Sequence, residues 1–457
     1  GTDVYLVLDD GWKVVRLLTA GALDAESSEM QHCIGNGGYD GQLEDDERFF
    51  FSLRDPAGKP HVTIHVHDGE LVEMSGKQNR VPVSKYITRL LPLFRTKLFS
   101  TASLDGAKGI VADRDGNVHS VRNLPDSIAV DGALYLIGNP NDAPCPLPSF
   151  ISGGGDIIVD TAAFRGTPRR VEGRIIDMGG IRLGGECEFK PSLSLNLQGS
   201  SGVSLPRGFS VPGNLSLNDA TDFTLPEGLR VGGMLDVAST DIRALPGDIA
   251  VGHLDATNTN LEDLGNLREL KSFHASGSRL KVLPEGFRAS DVNLSDTPVE
   301  AIPSDLRVED YLVASRCSLR LPTLLDVGVS AMFNWGNIDI PAEFECPGSL
   351  VMSGSKLRFD NSAIKCGEQL DLTGASADQL PRRIRARQVV LSGFSWAGAP
   401  DLELDLETEV LFVSDTRLLF GSGVRVTKYV RIIRRTEVEE SFRDLPLAEA
   451  AVYLASL

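Results

Sequence analysis

A dipeptide returns along the chain at a nearly constant interval. Leu205-Pro206, Leu225-Pro226, Leu245-Pro246, Leu264-Gly265, Leu283-Pro284, Ile302-Pro303 and Leu321-Pro322 follow one another every 19 or 20 residues. About ten residues after each of the first five comes an apolar–any–apolar triplet: Leu215-Ser216-Leu217, Leu235-Asp236-Val237, Leu254-Asp255-Ala256, Phe273-His274-Ala275 and Val292-Asn293-Leu294. Self-similarity at so short a period predicts a solenoid, because one coil cannot bury its apolar side alone and must stack on the next. The triplet reads as a short strand with two residues inward and one outward. Coils of this length leave no room for a full helix, so the back of each coil is expected to be extended or 3₁₀.

The pattern opens at Leu124-Pro125, with Leu134-Tyr135-Leu136 as its first clear triplet, and is irregular over 160–200. Weaker coils continue through Ser349-Leu350-Val351, Leu370-Asp371-Leu372, Val389-Val390-Leu391 and Val410-Leu411-Phe412. From Thr436 to Leu457 the apolar spacing turns helical, which suits a cover for the last coil. The expected fold is mainly β: a small α+β domain over 1–120, a parallel-sheet solenoid over 121–435 and a helical cap over 436–457.

Over residues 124–435 the repeat frame, Leu-Pro followed by Leu-x-Val/Leu-x-x-Thr/Ser, resembles the short leucine-rich repeat of bacterial effector proteins. One departure is systematic. Where such repeats carry Asn, this chain has Thr240, Thr259, Ser278 and Thr297, then Arg316. A hydroxyl ladder donates one bond per coil, fewer than Asn makes. No counterpart of the catalytic carboxy-terminal domain of the ubiquitin-ligase effectors is seen, and that activity does not carry over.

The net charge is −18. It argues against nucleic acid and against an anionic membrane surface as partners, and no apolar run approaches the roughly 18–20 residues of a membrane helix. The six cysteines, Cys33, Cys145, Cys187, Cys317, Cys346 and Cys366, lie far apart with no CxxC pair. That spacing fits a reducing, cytoplasmic setting, including that of a host cell into which an effector is delivered. No cofactor or metal site is expected from spacing, and a monomer is expected.

Residues 1–120 hold five of the seven histidines. Strands are expected at Tyr5–Leu8 and Trp12–Leu17 and a helix at about Val83–Lys97. Between them, Arg48–Arg54, His61–His67 and Glu70–Ser75 read as strands, the last two joined by an Asp68-Gly69 turn of type I′. Residue pairs 67–70, 65–72 and 63–74 follow, with 54–61 and 52–63 across the first turn. One face then collects Phe49, Phe51, Leu53, Val62, Ile64, Val66 and Leu71 as core. The other collects Arg48, Phe50, Arg54, His61, Thr63, His65, His67 and Glu70. Glu73 falls on the apolar face, where a lone carboxylate is costly unless paired. Asp113–Asn117 shares part of a calcium-loop pattern but lacks the closing bidentate acid, so a plain turn is expected.

Glu29-Met30-Gln31-His32-Cys33-Ile34-Gly35, Tyr39, Phe50–Arg54, Thr63-Ile64 and Gly76-x-x-Asn79-Arg80 are together similar to the PcfJ-like domain of bacterial and plasmid-encoded proteins, over about residues 10–100. The resemblance supplies no activity. The family usually has an acid where His65 stands and Gln where Glu73 stands, so an activity needing those groups would be altered here.

The residues themselves leave three possibilities. Cys33 is a nucleophile whose base comes from His61, His65 or His67, since neighbouring His32 points elsewhere. Alternatively His65 and His67, two apart on one strand, hold a metal with Cys33 or His32. Otherwise Cys33 is a small buried residue beside a solvated histidine face. Arg54, Glu73 and Asn79 form either an anion-binding cluster or a structural ion pair that satisfies Glu73. On the solenoid, the outward column Ser216, Asp236, Asp255, His274 and Asn293 is the expected binding surface for a protein of basic or mixed charge. The expected function is thus a bacterial protein-recognition protein, an effector. The alternatives are a thiol- or metal-dependent enzyme using Cys33 and the His61/His65/His67 face while the solenoid selects the substrate, and a purely structural protein.

Overall fold

The structure, a computed structural model, describes residues 1–99, 104, 109–139, 141–397, 405–414, 424–435 and 440–445. Contacts divide the chain into two compact units: residues 1–206 with 211–224, and residues 207–210 with 225–457.

The first unit begins with an antiparallel sheet in the order β1 (Thr2–Val7), β2 (Lys13–Leu17), β3 (Arg48–Arg54), β4 (Pro60–His67), β5 (Glu70–Ser75). Helix α1 (Ala20–Met30) lies between β2 and β3 in sequence, and α2 (Ser84–Phe94) follows β5. Each helix covers one face of the sheet. Phe51, Leu53, Val62, Ile64 and Val66 pack with Ile87, Leu90, Leu93 and Phe94 of α2. Val15, Leu17 and Phe50 pack with Ala22 and Leu23 of α1 and with Ile34 beyond it. The face expected to be solvated is therefore buried: Phe50, Ser52, Thr63 and His65 lie beneath α1 and the loop that follows it. Sequence periodicity missed α1, since Ala, Gly and Ser dilute its apolar stripe.

Two bulges decide which side chains face where. Between β4 and β5 the register runs Thr63↔Ser75, Ile64↔Met74, His65↔Glu73, then Val66↔Leu71, so Val72 is an extra residue. Glu73 thereby leaves the apolar face expected for it and joins His65 on the other. Between β3 and β4, Leu53 pairs with Val62 but Arg54 with Pro60. His61 is the extra residue here, and its ring packs on Trp12 and Tyr86 at 5.1 and 4.5 Å, on the α2 side. The Asp68-Gly69 turn has both residues at positive φ, 51° and 71°, as type I′ requires.

After a short hairpin, Ile110–Ala112 with Val118–Ser120, parallel coils begin within the same unit. Asp113 accepts from the amides of Asp115 and Asn117 and pairs with His119 at 2.8 Å, which is turn chemistry. Leu134–Leu136, Ile157–Val159 and Arg170–Asp177 stack in register. They meet the first domain directly: Asn139 Nδ2 donates to the Val81 carbonyl at 2.7 Å, and the Ser84 hydroxyl bonds Asp142.

In the second unit the strands Arg230–Asp236, Ala250–Asp255, Ser272–His274, Arg288–Asn293 and Arg307–Val313 form a parallel ladder. Leu235, Leu254, Phe273, Val292 and Leu312 stack in one buried row, and Leu245, Leu264, Leu283, Ile302 and Leu321 of the recurring dipeptides bury another. Thr240, Thr259 and Thr297 each donate to the carbonyl three residues earlier, at 2.6 to 2.7 Å. The hydroxyl ladder thus tightens its own coil. Later residues reach the coil before: Ser355 Oγ donates to the Phe333 carbonyl at 2.5 Å.

From residue 318 the back of the coil also becomes a strand. Ser318–Arg320, Asn337–Ile340, Lys356–Phe359, Ser376–Ala377 and Ser395–Trp396 make a second parallel sheet, the first three burying alternate residues. The weak coils at 349–351, 370–372, 389–391 and 410–412 all fall on paired parallel strands. Residues 440–445 of the expected helical cap are instead a strand, antiparallel to Val424–Arg435; the remainder of that cap lies outside the described residues. Among the described residues no helix is long and apolar enough to cross a membrane.

One position per coil holds a left-handed backbone: Ser239, Asn258, Gly277, Asp296, Arg316, Trp335, Gly354, Gly374 and Gly393, each with φ between 55° and 71°. Their spacing repeats the 19- to 20-residue period. Trp335 is the unusual occupant, since a bulky residue rarely adopts this conformation, and the residue is 70% exposed.

Candidate functional site

Helix α1 ends at Gln31 in a left-handed cap, φ 57°, and the chain doubles back along the helix. A Cβ at Gly35 would stand 2.7 Å from that of Ser27, so only glycine fits there. In this tight return His32 turns inward, Cys33 outward and Ile34 inward. The Ser27 hydroxyl bonds the His32 carbonyl. His32 Nε2 meets Thr63 Oγ1 at 2.8 Å, and Thr63 donates to Glu26 Oε1 at 2.7 Å. Glu26 is fully buried and takes the guanidinium of Arg54 at 3.2 Å.

Above this network lies a half-open pocket of about 320 Å³, counting its mouth. His32, Cys33, Ile34, Tyr39, Phe50, Thr63, His65, Glu73, Ser75 and Asn79 line it. The fold thus brings together Cys33, His32, His65, Glu73 and Asn79, which the sequence had singled out. It adds Tyr39, quoted there only for its place in a motif, and Glu26, whose role no spacing signals because α1 itself went unseen.

Other expectations fail on geometry. Arg54 pairs with Glu26 rather than Glu73, whose carboxylate accepts from Ser75 Oγ at 2.7 Å. His61 is turned away by its bulge and bonds Asp55 at 3.0 Å, so the three histidines do not form one face. His67 lies 3.5 Å from Asp45. Asp45, Glu47 and His67 bring ligand atoms within 4.8 Å of one another, yet Asp45 already takes Arg48 at 3.0 Å. Cys33 is exposed, not a buried core residue.

The electrostatics follow from burial. His65 stacks on Phe50 at 4.5 Å with Tyr39 edge-on. Burial, with Arg48 beside it, pulls its pKa down to about 4, so the ring is neutral at pH 7. Burial also lowers His32, against the pull of its backbone hydrogen bond and of Glu73. Tyr39 is raised by burial, then by Cys33 and Glu73 nearby. Glu26 is raised by desolvation despite Thr63, Ser52 and Arg54.

The second unit carries a different feature. An open groove of about 2200 Å³, counting its mouth, crosses the coils from Val251 to Gly328. It follows the line where strands bend at a bulge, as at Ala289/Asp291. Lys271, Arg288 and Arg307 face Glu269, Asp291, Glu309 and Asp326 along it. Arg307 pairs with Asp326 at 3.5 Å, while Lys271 and Arg288 form no ion pair among the described residues.

The column Asp236, Asp255, His274, Asn293 is in register as expected, and His274 lines the groove. Asp255 and Asn293 instead bend back to accept from the amides two residues on, at 3.0 Å, and Asp236 does the same. They hold the turn at the strand's end. Ser216 belongs to the first unit, in register with Asn196. No protein-family model matches the chain, and neither a curated protein nor a solved structure matches it.

Proposed function

We propose that the chain is a bacterial protein-recognition protein whose second unit binds an extended segment of a protein partner, with mixed charge, along the groove between Val251 and Gly328. The supporting observation is the pair Lys271 and Arg288, two cations without an ion partner among the described residues, set among Glu269 and Asp291 on a parallel sheet. Such an arrangement rewards a partner of alternating charge and offers no large apolar patch for permanent burial. The repeat resemblance over 124–435 and the PcfJ-like resemblance over 10–100 agree with a bacterial effector and extend the proposal to delivery into a host cytoplasm.

The test is affinity capture with the double variant Lys271→Glu, Arg288→Glu beside the wild type, with the partner located by photo-crosslinking from Ser272. Loss of the crosslinked partner at an unchanged melting temperature supports groove binding. Capture that survives the charge reversal overturns it.

A further inference from the structure

Of six cysteines only Cys33 is exposed, and it stands where two hollows meet. One is the pocket lined by Tyr39 and His65; the other is lined by Asp24, Ser27, Gln31 and Asn36, with His32, Cys33 and Asn79 shared. Three observations make this a built site. The backbone that presents the thiol is pinned, because the His32 carbonyl takes Ser27 and the His32 ring is tied through Thr63 to buried Glu26. His65, only 7% exposed, faces the pocket with a nitrogen to spare. Arg48 Nη1 lies 3.4 Å from its Nε2 and can only donate, so Nδ1 carries the proton and has no hydrogen-bond partner among the described residues. Lastly, the charge has one sign: Glu73 lines the pocket and Asp24 the second hollow, while among the described residues no Lys or Arg lines either.

We infer that Cys33 is a nucleophilic thiol site selective for electrophiles that carry a positive charge, the reacting class being disulfides of small cationic thiols. Cys33 gives its proton to water, and its sulfur attacks one sulfur of the disulfide. A new S–S bond forms as the old one breaks. The bonding pair leaves with the second sulfur, which takes up a proton. The added disulfide is the oxidant and Cys33 is oxidised to a mixed disulfide. Glu73 holds the cation, and His65 Nδ1–H donates to the departing sulfur as negative charge develops on it. An anionic disulfide meets Glu73 with like charge and is disfavoured.

The experiment treats the full chain at low salt with cystamine, neutral hydroxyethyl disulfide and anionic dithiodipropionate. Rates come from intact mass, normalised to those of a free cysteine amide, and the adduct is mapped by digestion. The expected result is an adduct on Cys33 formed about tenfold faster, normalised, from the cation than from the anion. The preference should shrink as salt screens the charge. Glu73→Gln, at an exposed position, should bring the normalised rates for the cation and the anion together. Equal normalised rates, a preference that survives Glu73→Gln, or an adduct on another cysteine each overturn the inference.

Discussion

The carboxylate of Glu26, with no exposed surface, accepts a 2.7 Å hydrogen bond from Thr63 Oγ1 across the space between α1 and β4. Arg54 and Ser52 are its other partners. Removing the carboxylate strands a guanidinium and two hydroxyls in a poorly solvated place. Glu26→Ala should cost about 3 kcal/mol, measured by denaturant unfolding.

The same residue gives a pH signature. Desolvation holds Glu26 above its ordinary value, so the folded state keeps a proton that the unfolded chain releases. That contribution to stability is fully present below the unfolded value and is lost as pH rises through the folded one. In Glu26→Gln this component should vanish, and melting curves across mildly acidic pH would record it.

His65 acts in the opposite sense. Its pKa is pulled down to about 4 by burial and by Arg48, against Glu73. The unfolded chain takes up a proton at its ordinary value, so stability present above about 6.5 is lost as pH falls toward about 4. Carbon-13 shifts of the His65 ring should show a midpoint near 4, and His65→Phe should lessen acid lability.

At Gly354, a Cβ would come 2.5 Å from the Trp335 ring, at a φ of 67°. Gly354→Ala should therefore destabilise by about 2 kcal/mol, from strain and collision together. In a Trp335→Gly background only the strain remains, about 1 kcal/mol. A double-mutant cycle by thermal melting separates the two.

Asp255 and Lys271 offer a contrast between structural and solvent-facing polar groups. Asp255 bonds its own turn at Thr257, so Asp255→Ala should cost about 1 kcal/mol. Lys271 forms no ion pair among the described residues, and Lys271→Ala should leave the unfolding midpoint unchanged.

The coil period was legible because every coil must bury the same two rows, which imposes one residue pattern at one interval. Leu254, Phe273 and Val292 announce themselves in this way. The strand pairing around Asp68-Gly69 was legible as far as the turn dictates it, through pairs 67–70 and 66–71. Beyond them the extra Val72 moved Glu73 to the other face, and no local preference marks a bulge at Val72 or His61. Glu26 was invisible for a related reason: its partners Ser52, Arg54 and Thr63 lie on strands that only the fold brings beneath α1. The outward residue of each triplet was legible as outward, but the bond that Asp236, Asp255 and Asn293 accept from the amide two residues later is a backbone matter that polarity alone does not reveal.

The left-handed position that recurs from Ser239 to Gly393 also bears on how such a chain can change its length. Each of these residues sits beside its counterpart in the next coil, so a single inserted or deleted residue would throw one coil's turn out of line with both neighbours. Removing a whole interval, such as residues 259–277, instead sets Asn258 next to Ser278 and restores every row. Point-by-point growth is penalised at each step, while duplication or loss of an entire coil is not. Lengths in a lineage of this kind should therefore differ by multiples of 19 or 20 residues.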